Sequence, residues 1–350
     1  MFYLRGNSGT MSRTVEEILK DILLLAPEAH KKLIHYVNLQ LPQGSDSETS
    51  VIEVRKGIQE KSRFACPHCN SDEIVGHGRY KGRKRYKCRA CDKTFNDLTG
   101  TSVSGIHKKQ DWQAYLGCMS EGLTLREAAK KAHISFRTSF IWRHKVLSSL
   151  QDIGCTKMEG IIESDETFFL FSEKGKRTIK DRAPRRRGGK ASKAGINDEH
   201  VAVIVATDRH GDFVAQVAGR GRITAKQIDA NLGKWIGDNA EVICTDSHRS
   251  YGSFARKRGL KHVSINVSKG QHVKDKVYHI QNINSIHSNM KDWMRRFKGG
   301  VGSDYMQNYM NWFRVEKKLT GNANAYTEYA LTSNNSFLTS KNIHPQLFIS

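Results

Sequence analysis

The feature that most constrains this chain is a pair of cysteine knuckles, Cys66-Pro67-His68-Cys69 and Cys88-Arg89-Ala90-Cys91, separated by eighteen residues. Two C-x-x-C units so spaced bring four thiolates around one Zn²⁺, and the segment between them forms the hairpin of a zinc ribbon. Cys66, Cys69, Cys88 and Cys91 are therefore expected as structural zinc ligands in a ribbon over residues 61–105. His68 is the weaker ligand candidate, because four cysteines already complete the shell. The chain has seven cysteines, so a full disulfide set would leave one over, which fits a reducing compartment. Cys118, Cys155 and Cys244 sit in apolar surroundings and are expected as inert core residues.

Charge points to the partner. The 350 residues carry 57 Lys and Arg against 35 Asp and Glu, a net charge of +22. The excess is concentrated: residues 61–110 hold twelve basic and four acidic side chains, and residues 174–193 hold ten and one. Phosphate neutralisation releases counterions and dominates nucleic-acid affinity, so two such patches point to a polyanion where the bland alternative is a solvated face; the partner expected is nucleic acid, here double-stranded DNA. No run of eighteen apolar residues occurs, and the N-terminus lacks the basic-then-apolar plan of a signal peptide. A cytoplasmic, nucleoid-associated protein of two or three domains is expected, with no membrane partner.

Residues 14–39 have helical apolar spacing interrupted at Pro27, and the polar stretch 43–50 is a linker, so residues 1–60 form a helical segment and linker. Beyond the ribbon, Thr124 can cap a helix bearing Leu125, Ala128, Ala129 and Ala132. Ser135 can cap the next, over residues 136–150. That spacing gives a helix-turn-helix within residues 106–155. Its second helix is expected to expose Arg137, Thr138, Arg143 and His144 to a major groove and to bury Phe140, Ile141 and Val146.

From Gly160 the pattern turns to strands. Residues 160–171 are apolar and β-rich around a central acidic cluster, in which Asp165 follows the strand GIIES; a hairpin spans residues 200–218, a helical stretch follows over 224–236, and a short buried strand ends at Asp246. Another strand at 262–267 precedes helices over 280–297 and 305–319, which makes a mixed α/β layout. Buried strands hold carboxylates rigidly. Asp165 and Asp246, near strand ends in a basic protein, suit divalent cations that activate a nucleophile on a phosphodiester, although taken alone each is more readily a turn or N-cap residue. Glu163 and Glu166 are expected on the opposite strand face from Asp165, supporting it or solvated. Asn284 and Lys291 lie seven residues apart and share one helix face, with His287 and Ser288 between them. Asn282 is the rival of Asn284 in register. His248 and Arg249 beside Asp246 are phosphate-contact candidates or a surface turn. The Gly-rich basic stretch 174–195 is a DNA-clamping or disordered loop, and residues 321–350 form a polar tail.

In combination, SDETFF, TDSHRSY and HIQNINSIHSNMK followed by an aromatic-rich helix resemble the bacterial insertion-sequence transposases of the Asp-Asp-Glu/Asn-Lys type, similar to the Merlin elements. The resemblance spans roughly residues 60–320. It implies a ribonuclease H-like catalytic domain over 156–320, preceded by the zinc ribbon and helix-turn-helix. By position it makes Asp165, Asp246 and Asn284 ligands of two Mg²⁺ or Mn²⁺ ions, with Lys291 as their catalytic companion. It also implies a homo-oligomer that nicks transposon ends and transfers the freed 3′ hydroxyl to target DNA. Asn284 stands where many relatives have Glu, which removes one negative charge and implies weaker metal binding. The competing readings are a non-catalytic DNA-binding regulator derived from a transposase, and a nuclease or repair enzyme without strand transfer.

Overall fold

The computed structural model describes residues 55, 64–108, 111–151, 157–176, 178–179, 182–186, 188–246, 248–266, 269–297 and 300–319. The expected helices over 14–39, the linker over 43–50, Cys155 and the tail over 321–350 lie outside them.

Three short strands form the first sheet: β1 (Ile74–Tyr80), β2 (Arg83–Cys88) and β3 (Thr94–Asn96), antiparallel in that order. The β1–β2 turn, Lys81-Gly82, has φ of 48° and 77°. Two consecutive positive φ values match the right-handed twist of a tight hairpin, and a glycine makes the second inexpensive. Each knuckle ends the same way: Asn70 and Asp92, each directly after the second cysteine of its pair, have φ of 64° and 59°. Asn and Asp tolerate this left-handed backbone better than other side chains, which explains their place there. Phe64, Ile74, Tyr86 and Phe95 pack with the cysteines into a small core separate from the rest of the protein.

Helices α1 (Trp112–Ser120), α2 (Leu125–Lys131) and α3 (Phe136–Ser149) follow. Thr124 and Glu127 close a capping box on α2, and the Ser135 hydroxyl accepts the Thr138 amide at 3.0 Å to start α3. His133, with φ of 49°, turns the chain between them. The helix-turn-helix spacing is present, but its exposed face differs from expectation. Arg143 and His144 are 0% and 2% exposed rather than surface groups. The Arg143 guanidinium donates to the Leu123 carbonyl at 2.7 Å and stacks over Trp312, and His144 packs on Phe140 and Tyr305. Phe140 and Ile141, expected in the core, are half-buried, whereas Val146 is buried. The surface that α3 offers is its N-terminal turn, Phe136 and Arg137.

The second sheet has five strands in the order β6-β5-β4-β7-β8. Strands β4 (Met158–Leu170), β5 (His200–Thr207) and β6 (Phe213–Arg220) make an antiparallel meander, while β7 (Ile236–Thr245) and β8 (Lys261–Ser264) add parallel to β4. Between β6 and β7 lies α4 (Ala225–Leu232), and between β7 and β8 lies α5 (Arg249–Arg258). Strand β5 shows why the sheet is covered on both faces. Val201, Val203 and Val205 enter one apolar core, and Ala202, Ile204 and Ala206 enter another containing residues of α4 and α5. The first core is shared with α1–α3, α6 (Gln281–Arg295) and α7 (Met306–Leu319). Between β8 and α6 the chain makes a small hairpin of β9 (Val273–Lys274) and β10 (Tyr278–His279). Among the described residues no helix is long and apolar enough to cross a membrane.

Candidate active site and metal centre

Asp165 lies mid-strand in β4 rather than at a strand end, because the β-forming run TFFLF continues the strand to Leu170. Parallel pairing of β4 with β7 places Glu163 beside Cys244, so the same register two residues on brings Asp165 level with Asp246, one residue past the end of β7. Asp246 also serves as a turn residue: its Oδ1 accepts the His248 amide at 3.0 Å, ahead of α5.

The two carboxyls repel. Burial, and then the Asp246 charge, push the Asp165 carboxyl up to about 7, against the opposing pull of Lys291. Glu166 belongs to the same crowd. Burial and the charges of Asp165 and Asp246 push it up to about 8, and its Oε1 is buried without a hydrogen bond. Its neighbour is the wholly buried Tyr251, whose hydroxyl lies 3.2 Å from Ser164 Oγ. Two carboxyls set level on neighbouring chain segments favour a cation, and oxygen donors suit a hard divalent one.

Glu163 overturns one expectation. Side chains alternate along a strand, so Glu163 shares the face of Asp165, and Glu166 alone lies opposite. Glu163 is also 1% exposed, not solvated. Its Oε1 accepts Arg209 Nη1 at 2.6 Å and Asn282 Nδ2 at 2.8 Å, and its Oε2 accepts the Ile283 amide at 3.2 Å. His279 Nδ1 is 3.4 Å away. Helix α6 begins at Ile280, which has no side chain able to cap it. A carboxylate from the strand supplies that cap and complements the positive end of the helix dipole. The strand that carries Asp165 is thus bolted directly to the helix that carries Asn284, His287 and Lys291. Asn282, the register rival, is occupied in this clamp.

On α6, Asn284, Ser288 and Lys291 are exposed, while His287 is buried and its Nδ1 stands 3.8 Å from Asp165 Oδ2. Burial, and then Lys291, push the His287 imidazole down to about 4, so it is neutral at ordinary pH. His248 is half-buried and Arg249 exposed beside Asp246. The clamp of Glu163, Arg209 and His279 escaped sequence reasoning. The parity of Glu163 with Asp165 was its one available signal.

Among the described residues, Cys66, Cys69, Cys88 and Cys91 alone bring three or more candidate ligand atoms all within 4.8 Å of one another. Sγ separations are 3.7 Å for Cys66–Cys91 and 3.6 Å for Cys69–Cys88. Thiolates about 2.3 Å from one tetrahedral ion stand about 3.8 Å apart, so the group is already close to zinc geometry. Cys118 and Cys244 are buried, and burial raises both thiols, Cys244 to about 11, as inert core residues require.

The basic stretch after β4 is partly anchored. Glu173 receives Arg182 at 3.4 Å and Lys176 at 3.5 Å, and Glu199 receives Arg185 at 2.6 Å. The Ser192 hydroxyl and Arg185 hold the Glu199 carboxyl down at about 2. Arg186, Lys190 and Lys193 remain exposed.

The segment that builds the five-stranded sheet, its acidic centre and α6 is similar to known insertion-sequence transposase domains. Residues 157–314 match the family described as ISXO2-like transposase domain. The chain is also 24% identical over 280 residues to the "Uncharacterized protein in transposable element ISH50" of Halobacterium salinarum, covering 78% of this chain and 92% of that protein. Similarity to solved structures is slight. The Mos1 strand transfer complex matches at 10% identity and a TM-score of 0.19, over 65% of this chain and 79% of that one. A pre-cleavage Mos1 transpososome matches at 10% identity and 0.18, over 65% and 80%.

Proposed function

We propose that this protein is a DNA transposase that binds the terminal inverted repeats of its own element, cleaves the strand at each end and transfers it to target DNA. The observation that carries the reading is that Asp165 in β4 and Asp246 at the end of β7 come level in a segment that matches a transposase family, where a cation would relieve their mutual repulsion. The meander-plus-parallel strand order supports a ribonuclease H-like fold for this region.

In this reading Asp165 and Asp246 hold Mg²⁺ or Mn²⁺, with Asn284 completing the set from α6. When bound, the cations supply Lewis-acid stabilisation of charge developing on the attacking and leaving oxygens. Lys291, on the same face of α6, binds a non-bridging oxygen of the scissile phosphate and holds it in line. Hydrolysis frees a 3′ hydroxyl. That hydroxyl then displaces a 3′ oxygen at a target phosphodiester, with no covalent protein intermediate. The N-terminal turn of α3 reads the transposon end, the exposed Arg186, Lys190 and Lys193 hold the backbone, and two or more copies pair the ends. Four cysteine thiolates hold zinc in the ribbon, where the ion replaces an apolar core too small to fold alone.

The test uses a duplex made from the DNA ends flanking the coding sequence, incubated with Mg²⁺ or Mn²⁺. Cleavage and strand transfer by the unmutated chain are expected, with loss of both in Asp165→Ala and Asp246→Ala while DNA binding persists. Normal cleavage by either variant overturns the site assignment. Binding without metal-dependent cleavage by the unmutated chain supports the regulator instead.

A further inference from the structure

His287 is the one described side chain of α6 that is both titratable and buried in the acidic centre, at 8% exposure. A buried histidine in a core normally has both ring nitrogens satisfied. This one has not. Its Nε2 is buried and lacks a hydrogen-bond partner, and its Nδ1 faces the Asp165 carboxylate at 3.8 Å, too far for a hydrogen bond.

That separation is what two ligands of one ion require. Donor atoms each about 2.1 Å from a cation stand between about 3 Å, at a right angle, and about 4.2 Å, when opposed. Asn284, one turn earlier, is exposed, so the imidazole is the more enclosed donor that α6 presents to Asp165. Asp165, Asp246 and His287 do not bring their donor atoms all within 4.8 Å of one another. In this geometry a single ion is therefore not held by all three.

We propose that His287 is a nitrogen ligand to a divalent cation shared with Asp165, giving the centre a mixed nitrogen and oxygen donor set on its α6 side. This rests on the reading of Asp165 and Asp246 as metal carboxylates. Imidazole favours transition metals over Mg²⁺, so the site binds Mn²⁺ in preference to Mg²⁺.

The experiment is pulsed electron paramagnetic resonance of Mn²⁺ bound to the full chain, with zinc retained in the ribbon. Protein carrying isotope-labelled histidine is compared with unlabelled protein, which leaves the fold untouched. Nitrogen hyperfine coupling that changes with the histidine isotope is expected. It should be lost in His287→Gln, together with about tenfold weaker Mn²⁺ binding. Mn²⁺ bound in an Asp165-dependent manner without histidine coupling overturns the assignment and leaves the proposed function standing. Coupling that survives in His287→Gln overturns it too, and points to His248. Absence of any Asp165-dependent Mn²⁺ binding removes the proposed centre itself, and this inference with it.

Discussion

Replacing Asp165 by Asn keeps the shape of the side chain and removes its charge. In the metal-free protein burial and Asp246 raise this carboxyl from 3.8 to about 7. Each unit of that rise is about 1.4 kcal/mol, so holding Asp165 ionised in the fold costs on the order of 4 kcal/mol. The sign follows from linkage. A carboxyl whose folded-state value is raised binds its proton more tightly when folded. Its contribution to stability is therefore intact below the unfolded value, near 4, and is lost as pH rises from there to about 7. Asn does not titrate. Asp165→Asn is thus expected to be more stable than the unmutated chain at about pH 8, and equal to it near pH 4. At about 2–4 °C per kcal/mol for a protein of this size, the midpoint at the higher pH rises by roughly 10 °C. The assay is a thermal melt in chelator that spares the ribbon zinc, repeated across pH. Adding Mn²⁺ should reverse the order, because the unmutated chain gains binding energy that the variant lacks. A variant no more stable at about pH 8, or a difference independent of pH, refutes the reasoning.

Glu163→Gln is expected to cost about 3 kcal/mol by melting and to weaken metal-dependent cleavage roughly tenfold, because the cap on α6 loses its charge. Unchanged cleavage would show that the clamp is structural only. A strong thiol-competing chelator should remove the ribbon's β-sheet signal while the main melting transition stays in place, since the ribbon has its own core. A shifted main transition would show that the two cores are coupled. Arg137→Ala should reduce the salt slope of inverted-repeat binding by about one, as loss of a phosphate contact does, whereas no change places DNA elsewhere. Arg314→Met should leave that binding within a few-fold and lower cleavage much more; equal losses of both refute a positioning role.

The sheet was legible because its signal is local. Strand β5 is an almost unbroken apolar run rich in valine and isoleucine, as a strand covered on both faces requires, and the acids that end or interrupt apolar runs stand out against a basic composition. What remained hidden depends on distant partners. Arg143 looks like a surface cation on a helical wheel, and its burial needs the Leu123 carbonyl and the ring of Trp312, which lies 169 positions away. Glu163 reads as a solvated strand acid until Arg209, Asn282 and the Ile283 amide arrive from two other elements. Asp165 seemed to end its strand because acids disfavour strand interiors, a local preference that pairing with β5 on one side overrides.

The buried cations between the helix-turn-helix and the sheet share one design. Arg143 donates to the Leu123 carbonyl, Arg314 to the carbonyls of Leu150 and Gln151 at 3.1 and 2.7 Å, and Lys145 to that of Ser104. Each of these acceptors is a neutral backbone carbonyl. Burying a cation against neutral dipoles is costly beside an apolar residue of the same volume, and carbonyls fixed by helix ends accept it in one geometry. Arg314 belongs to α7, which packs against the sheet, and its acceptors lie at the end of α3. The position of α3 relative to β4 is therefore set by directional bonds where greasy contact alone would allow sliding. On the proposed function, a DNA end gripped by the N-terminal turn of α3 would then be held at one fixed distance from Asp165, which a nuclease cutting at a defined phosphate requires and a simple DNA-binding regulator does not.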